Sequence, residues 1–350
     1  MCFNSACRSP DRDEIFAARS QNLRCGRSRI YGFDNGARIT DSYGRWEIQR
    51  PAGRSRIMGF RFKKKESVAK AVRRLCCERL DVALKNLEGQ TRFEAVHNVR
   101  REIKKLRALL RLMRQEVGKN VYRKRTKALR EVAKLLTALR DARVKMDAFN
   151  SLTTQFRRKL PAQPFPAIQG ALHKNCLEQE NKLFKGRSIA SARKILRDLK
   201  QRLENLKVES AGWTAICPGL KASYYRGREV FRAVRREASP ENFHQWRKRV
   251  KDLWFQLRLL GPAWPRELRA EARELEILGE ILGDDHDLFL LRQFVEEQYH
   301  GAEKIEWLIS LRQEELRSRA MKLGARFYSE KPSRFCSRIE NYWKIWKKET

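Results

Sequence analysis

What most restricts the fold of this chain is an amphipathic helix written twice, 147 residues apart. The first copy reads VHNVRREIKKLRALLRLMR from Val96, and the second reads FHQWRKRVKDLWFQLRLL from Phe243. Steps of three and four residues keep side chains on one helix face. Counted that way from each histidine, the first copy gives His97, Arg100, Lys104, Arg107 and Arg111. The second gives His244, Arg247, Lys251, Trp254 and Arg258. Two residues further on, roughly 200° around a helix, both copies turn apolar. Val99, Ile103, Leu106, Leu110 and Met113 match Trp246, Val250, Leu253, Leu257 and Leu260. Each helix therefore buries one face and turns a cation stripe the other way. A duplicated helical unit predicts two bundles related by a pseudo-two-fold axis, with both stripes facing one space where the histidine helices meet.

The rest of the chain after residue 57 reads as helix after helix, and the fold class it predicts is all-α. Gly89, Gly118, the 161–166 stretch PAQPFP, Gly186, Pro218, Gly261 and Pro332 mark boundaries. Asp141 and Ser333 stand where N-caps belong, before helices at 141–157 and 333–348. Pro218 opens a helix at 218–237. The repeat continues past the histidine helices, since Asp141 matches Asp287 at an offset of 146. This gives a domain over 58–350, with repeats at about 62–208 and 212–350. The cluster Asp284, Asp285, His286 and Asp287 reads as a corner between helices at 264–282 and 285–299, with Asp287 capping the second or pairing with an arginine. A magnesium site is the competing reading there.

Residues 1–57 hold eleven Arg and no Lys, without sustained helical periodicity. They read either as a disordered arginine-rich arm or as sequence upstream of a true start at Met58, and composition favours the second. No window approaches the ~20 apolar residues of a membrane span, and no signal-peptide core opens the chain, so the expectation is a cytoplasmic protein without a membrane partner. Eight cysteines, none in a Cys-x-x-Cys pair or in zinc spacing, fit idle thiols in a reducing compartment. The net charge of +36 lies far outside ordinary values and calls for a polyanionic partner, though charge alone does not select which.

The pattern His-x-x-Arg-x-x-x-Lys, present at His97 and again at His244, resembles the CHAD domain family, the conserved-histidine α-helical domains. Supporting features are the Arg140–Asp141 and His286–Asp287 pairs, the helix bearing Tyr225, Gly227 and Arg228, and the aromatic end YWKIW at 342–346. The resemblance covers about 60–350. It implies two helical bundles flanking a basic central pore that binds inorganic polyphosphate, and association with intracellular polyphosphate granules. Carried over by position, His97, Arg100, Lys104, Arg107, His244, Arg247 and Lys251 line that pore. The second copy departs from the first at Trp254, which replaces Arg107, and at Asp252, which replaces Lys105, so its half of the pore is expected to be less cationic.

Physical chemistry agrees with such a ligand. Polyphosphate has about one charge per phosphate and no bases to read, so its site needs dense cations and no stacking platforms. Arg gives bidentate phosphate contacts and Lys a mobile point charge. On this reasoning Lys105, Arg111 and Arg258 join the contact set. So do Lys221, Arg228 and Arg232 from a third stripe that also includes Tyr225 and Arg235. The histidines are expected to be neutral beside these cations and to contact phosphate. No cofactor and no catalytic or metal-binding residue is assigned. A phosphohydrolase needs carboxylates that hold metal near the phosphates, and the stripes carry none. RNA or other nucleic acid is the alternative partner, since +36 ensures some salt-sensitive affinity, but no recognised nucleic-acid motif appears.

Overall fold

The computed structural model describes residues 38–40, 46–48, 59–88, 92–161, 165–299 and 301–349. The chain divides into two units, Met1–Ile57 and Met58–Thr350. In the first, β1 (Arg38–Thr40) and β2 (Trp46–Ile48) pair antiparallel, with Arg38 opposite Ile48 and Thr40 opposite Trp46. The all-α expectation thus applies to the second unit, because strands this short carry too few residues for an alternating pattern to register in the sequence. The rest of 1–57 lies outside the described residues, and so do both readings of that stretch.

The described residues of Met58–Thr350 form eleven α-helices. They are α1 (Val68–Glu88), α2 (Arg92–Leu112), α3 (Lys119–Leu135), α4 (Thr137–Gln155), α5 (Pro166–Lys185) and α6 (Ser188–Glu204). Then follow α7 (Gly212–Arg236), α8 (Pro240–Leu260), α9 (Pro265–Gln298), α10 (Glu303–Phe327) and α11 (Pro332–Lys348). None is long and apolar enough to cross a membrane. The two histidine helices are α2 and α8. The apolar faces expected of them are buried in full: Val99, Ile103, Leu106, Leu110 and Met113 from the first, and Trp246, Val250, Leu253, Leu257 and Leu260 from the second. Burial of each such side chain contributes about 1.5–3 kcal/mol, enough to fix which face of each helix turns inward.

Helix α2 packs on α1, α3, α7 and α8, while α8 packs on α7, α9 and α2. Between α2 and α8 the buried Gln256 amide donates to the Ala108 carbonyl at 3.1 Å. The aromatic end of the chain belongs to the core. Trp343 and Trp346 of α11 are buried, and Trp343 packs edge-on against Phe62 at 5.5 Å.

Four expected boundaries move. Helix α9 runs unbroken for 34 residues, so Asp284–Asp287 are mid-helix and make no corner. Gly279 and Gly283 cost a helix roughly 1 kcal/mol each, but here they permit close packing against α8. A Cβ at Gly279 would stand 2.8 Å from Lys251 Cε, and one at Gly283 3.4 Å from Arg247 Nε. Asp141 lies inside α4 instead of capping it, because the break falls earlier, at Leu136 (φ −101°, ψ 4°). Ser333 sits within the first turn of α11, whose N-cap is Lys331. Pro218 lies inside α7, which begins at Gly212; as the seventh residue it forgoes one bond of the ladder, the one to the Thr214 carbonyl, and the helix continues past it.

Candidate functional site

Arg100 and Lys104 of α2 stand half-buried beside Arg247 and Lys251 of α8 and Arg140 of α4, with α9 packed against α4 and α8. Arg100 Nη1 donates to the Ala133 carbonyl at 2.9 Å and to Thr137 Oγ1 at 3.1 Å, which ties it to the break between α3 and α4. Arg140 of α4 bridges across, donating to Asp141 Oδ1 and to Asp287 Oδ1 of α9, both at 2.9 Å. Burial opposes the Arg140 charge, yet Asp287 and Asp141 together outweigh it and raise the pKa. Arg247 lies against the Gly283 backbone, and its buried Nε has no acceptor among the described residues.

These cations sit close enough to repel one another. Burial first, and Arg140, Arg247 and Arg107 after it, hold Arg100 down to about 10. Burial and then Arg247, Arg140, Arg100 and Lys251 push Lys104 well below the ordinary lysine range. Lys251 is lowered to about 8 by burial and by Arg247. Such a set is costly when alone and is relieved by a bound polyanion.

The two histidines of the motif are placed differently. His97 is exposed at the start of α2, whereas His244 is partly buried and stacks on His286 with ring centroids 4.1 Å apart. Burial, with Lys248 and Arg247 beside it, lowers His244 to about 4. Burial and His244 lower His286 to about 3. The buried Nδ1 of His244 has no partner among the described residues.

Other expected contacts go elsewhere. Lys105 is buried, and its Nζ donates to Glu102 at 2.6 Å in a network that Arg79 of α1 joins at 3.5 Å. That network removes Lys105 from the stripe, because a buried carboxylate beside Arg79 demands its charge. The third stripe is not drawn to the same space. Lys221 lies near Cys336 of α11, Arg228 near Tyr224, and the exposed Arg232 pairs with Glu229 at 2.7 Å. Helix α7 packs on α8, α11 and the end of α2, and this docking turns that stripe away. Arg107 remains on the α2 stripe, and Arg111 pairs with Asp252 at 2.9 Å. Arg258 is exposed and lies over the Trp254 ring at 5.0 Å; Lys251 lies over the same ring at 4.6 Å. Trp254 therefore holds two cations at the place where the first copy has a third.

Arg140, Arg226 and Arg249 were absent from the expected set. Arg140 could have been found, since it precedes Asp141 as His286 precedes Asp287. Arg226 and Arg249 lie off the stripes: Arg249 meets Asp252 three residues on along α8, and tertiary packing brings Arg226 of α7 to the same carboxylate. The acid cluster on α9 spreads in three directions, as consecutive helical residues must. Asp287 meets Arg140, Asp285 accepts from Arg317 at 2.7 Å and Gln313 at 3.2 Å, and His286 stacks on His244. No group of three or more His, Cys, Asp or Glu among the described residues is placed to hold a metal ion.

The CHAD domain model matches residues 74–296, from α1 to the last turn of α9, and so includes both histidine helices and α4. No curated protein matches the chain. With more than half its length matched, and with both His-x-x-Arg-x-x-x-Lys helices inside the match, the chain belongs to the CHAD domain family.

Proposed function

We propose that the chain binds inorganic polyphosphate, without transforming it, in a basic pore between two duplicated helical bundles. The observation that carries this reading is the gathering of Arg100, Lys104, Arg140, Arg247 and Lys251 from three helices into one half-buried space. Burial and mutual repulsion depress Lys104 and Lys251 there, and Arg247 Nε lacks an acceptor among the described residues. A flexible chain of phosphates supplies many closely spaced charges to such a set and needs no base-specific contacts. The duplication is supported by the two sequence copies, since residues at one offset, Arg100 with Arg247 and Lys104 with Lys251, share this space.

Binding without hydrolysis is supported by the placement of the nearby acids. Asp287 is engaged by Arg140 and Asp285 by Arg317 and Gln313, and Glu276, Glu280 and Asp284 beside Lys251 belong to no group of three among the described residues that is placed to hold a metal. Family membership supports a cytoplasmic location and association with polyphosphate granules.

The test is competition between long-chain polyphosphate and single-stranded RNA of equal total charge, at near-physiological salt. Polyphosphate is expected to displace RNA, with a steep negative log–log dependence on salt that reflects several contacts. Displacement of polyphosphate by RNA under those conditions overturns the reading, and release of orthophosphate on prolonged incubation overturns its non-catalytic part.

A further inference from the structure

Outside the central space the charges are not spread evenly. On one side, α9 lays Glu276, Glu280 and Asp284 beside Lys251. The residues 146 positions earlier, the offset that relates Asp287 to Asp141, are Arg130, Lys134 and Ala138. A polyanion leaving the centre thus meets acids along α9 but cations along α3, where Arg130 stands near Arg107.

Arg107 leads to a cleft of about 380 Å³ at the corner of α2, α3 and α7, lined by Arg111, Arg114, Lys119 and Arg226. The cleft is open because α7 presents Gly219 and Ala222 to it. Gly219 also brings the α7 backbone against the last turn of α2, where a Cβ would fall 1.8 Å from the Leu112 carbonyl oxygen. The N-terminus of α3 borders the cleft through Gly118, which adopts φ 76° and leaves the helix without a side-chain cap. Its first N–H groups add to the positive field. The carboxylate that meets these arginines belongs to Asp252, 2.9 Å from Arg111 Nε and 3.5 Å from Arg249 Nη1, with Arg107 and Arg226 nearby.

We propose that this cleft is a second anion subsite, entered along Arg107 by the far phosphates of a polyphosphate chain seated at the centre, and that Asp252 is an internal ligand which the chain displaces. The inference rests on the polyphosphate reading above. From Arg100 to Arg111 the stripe spans roughly 16 Å along α2 at 1.5 Å per residue. A short oligophosphate at the centre does not reach the cleft, whereas a long chain does. Preference for long chains then comes from the cleft.

Tripolyphosphate and long-chain polyphosphate are titrated in parallel against the full chain and three variants. The double variant Arg114→Gln/Arg226→Gln removes two partly exposed cleft cations. Lys174→Gln/Lys194→Gln removes two exposed cations on α5 and α6 as a control for diffuse attraction. Asp252→Asn removes the internal ligand at nearly constant shape. The cleft variant is expected to bind the long chain about tenfold or more weakly, with a salt slope smaller by roughly one to two units, and to bind tripolyphosphate like the wild type. Asp252→Asn is expected to bind the long chain more tightly with tripolyphosphate unchanged, and the control to change neither. Equal losses from the cleft and control variants, or equal loss of both ligands in the cleft variant, overturn the subsite while the central reading stands. A wild-type chain that binds neither phosphate ligand overturns both. Thermal melting of the cleft double variant at the wild-type temperature separates lost contacts from lost fold.

Discussion

Helices α2 and α8 carry the same His-x-x-Arg-x-x-x-Lys pattern and bury the same five apolar positions, yet the helices packed beside them put the shared cations to different use. Arg100 faces a broken helix and donates to the Ala133 carbonyl, which also accepts from Leu136 N–H and Thr137 Oγ1, and to Thr137. Arg247 faces an unbroken one and lies across Gly283, with Asp284 and Asp287 close by. At the same offset, the Glu102–Lys105 pair of α2 becomes Arg249–Asp252 in α8, with the charges exchanged. The α2 pair is sealed in the core with Arg79; the α8 pair is less deeply buried and meets Arg111, which lines the cleft. A duplicated surface pattern therefore fixes where the cations stand. The neighbouring helix fixes how much of their charge is left for a ligand: the Ala133 carbonyl and one carboxylate, Asp141, beside Arg100, but Glu276, Glu280, Asp284 and Asp287 beside Arg247 and Lys251.

The largest expected difference between the copies is in stability. Glu102→Gln leaves Lys105 buried without its carboxylate, while Arg79 keeps Glu78 at 3.6 Å, and an uncompensated buried charge costs about 3–5 kcal/mol. Removing the counterpart charge with Arg249→Gln costs clearly less, since Asp252 keeps Arg111. Denaturant unfolding of both variants checks this, and equal losses would mean that the two pairs are equally sealed.

Next in size is the effect on the ligand. Arg100→Gln with Lys104→Gln is expected to weaken long-chain polyphosphate binding about a hundredfold, close to 2.8 kcal/mol. Arg247→Gln with Lys251→Gln removes the same charges at a site already partly neutralised by Glu280, Asp284 and Asp287, so the loss is expected to be nearer tenfold, about 1.4 kcal/mol. Isothermal titration at a single salt concentration ranks the two. A larger loss from the α8 pair would reverse the comparison.

Much of this arrangement is legible in the sequence because burial imposes a helical period on apolar residues, and the period left both apolar faces unambiguous. The cation stripes follow by exclusion. What the period does not report is the partner of each polar residue. Lys105 looks like one more cation of the stripe until Glu102 and Arg79, the latter from another helix, enclose it. Lys221, Arg228 and Arg232 have the spacing of the other stripes, but the direction they face depends on α7 docking against α8 and α11. The run of Gly283, Asp284, Asp285, His286 and Asp287 has the composition of a corner. It stays helical because Asp285 and Asp287 find arginines on α10 and α4 and because glycine admits Arg247. Local propensity yields to tertiary contact at these positions, and most of them border the central space.

The smallest effect concerns pH, and it separates lysine from histidine. His244 and His286 titrate near 4 and 3, held down by burial and adjacent cations, so they are neutral at pH 7 and contribute no charge there. Lys251, held down to about 8, changes charge just above neutrality, and Lys104, pushed well below the ordinary lysine range, is a second site cation whose charge depends on pH. A bound polyanion favours the protonated form of Lys251, so its pKa in the complex exceeds that in the free protein. Binding therefore takes up a proton between those two values. Affinity is complete below about 8 and falls as pH rises through the interval, by up to tenfold per unit for one proton. Long chains are needed for the measurement, because terminal phosphates titrate near neutrality and few ends keep that contribution small. Lys251→Arg keeps the cation charged throughout and is expected to flatten the decline. His244→Gln is expected to leave the profile between pH 6 and 9 unchanged and to alter it only in the acid range, on the order of pH 4. A profile that flattens with His244→Gln and persists with Lys251→Arg would move the titrating contact from the lysine to the histidine.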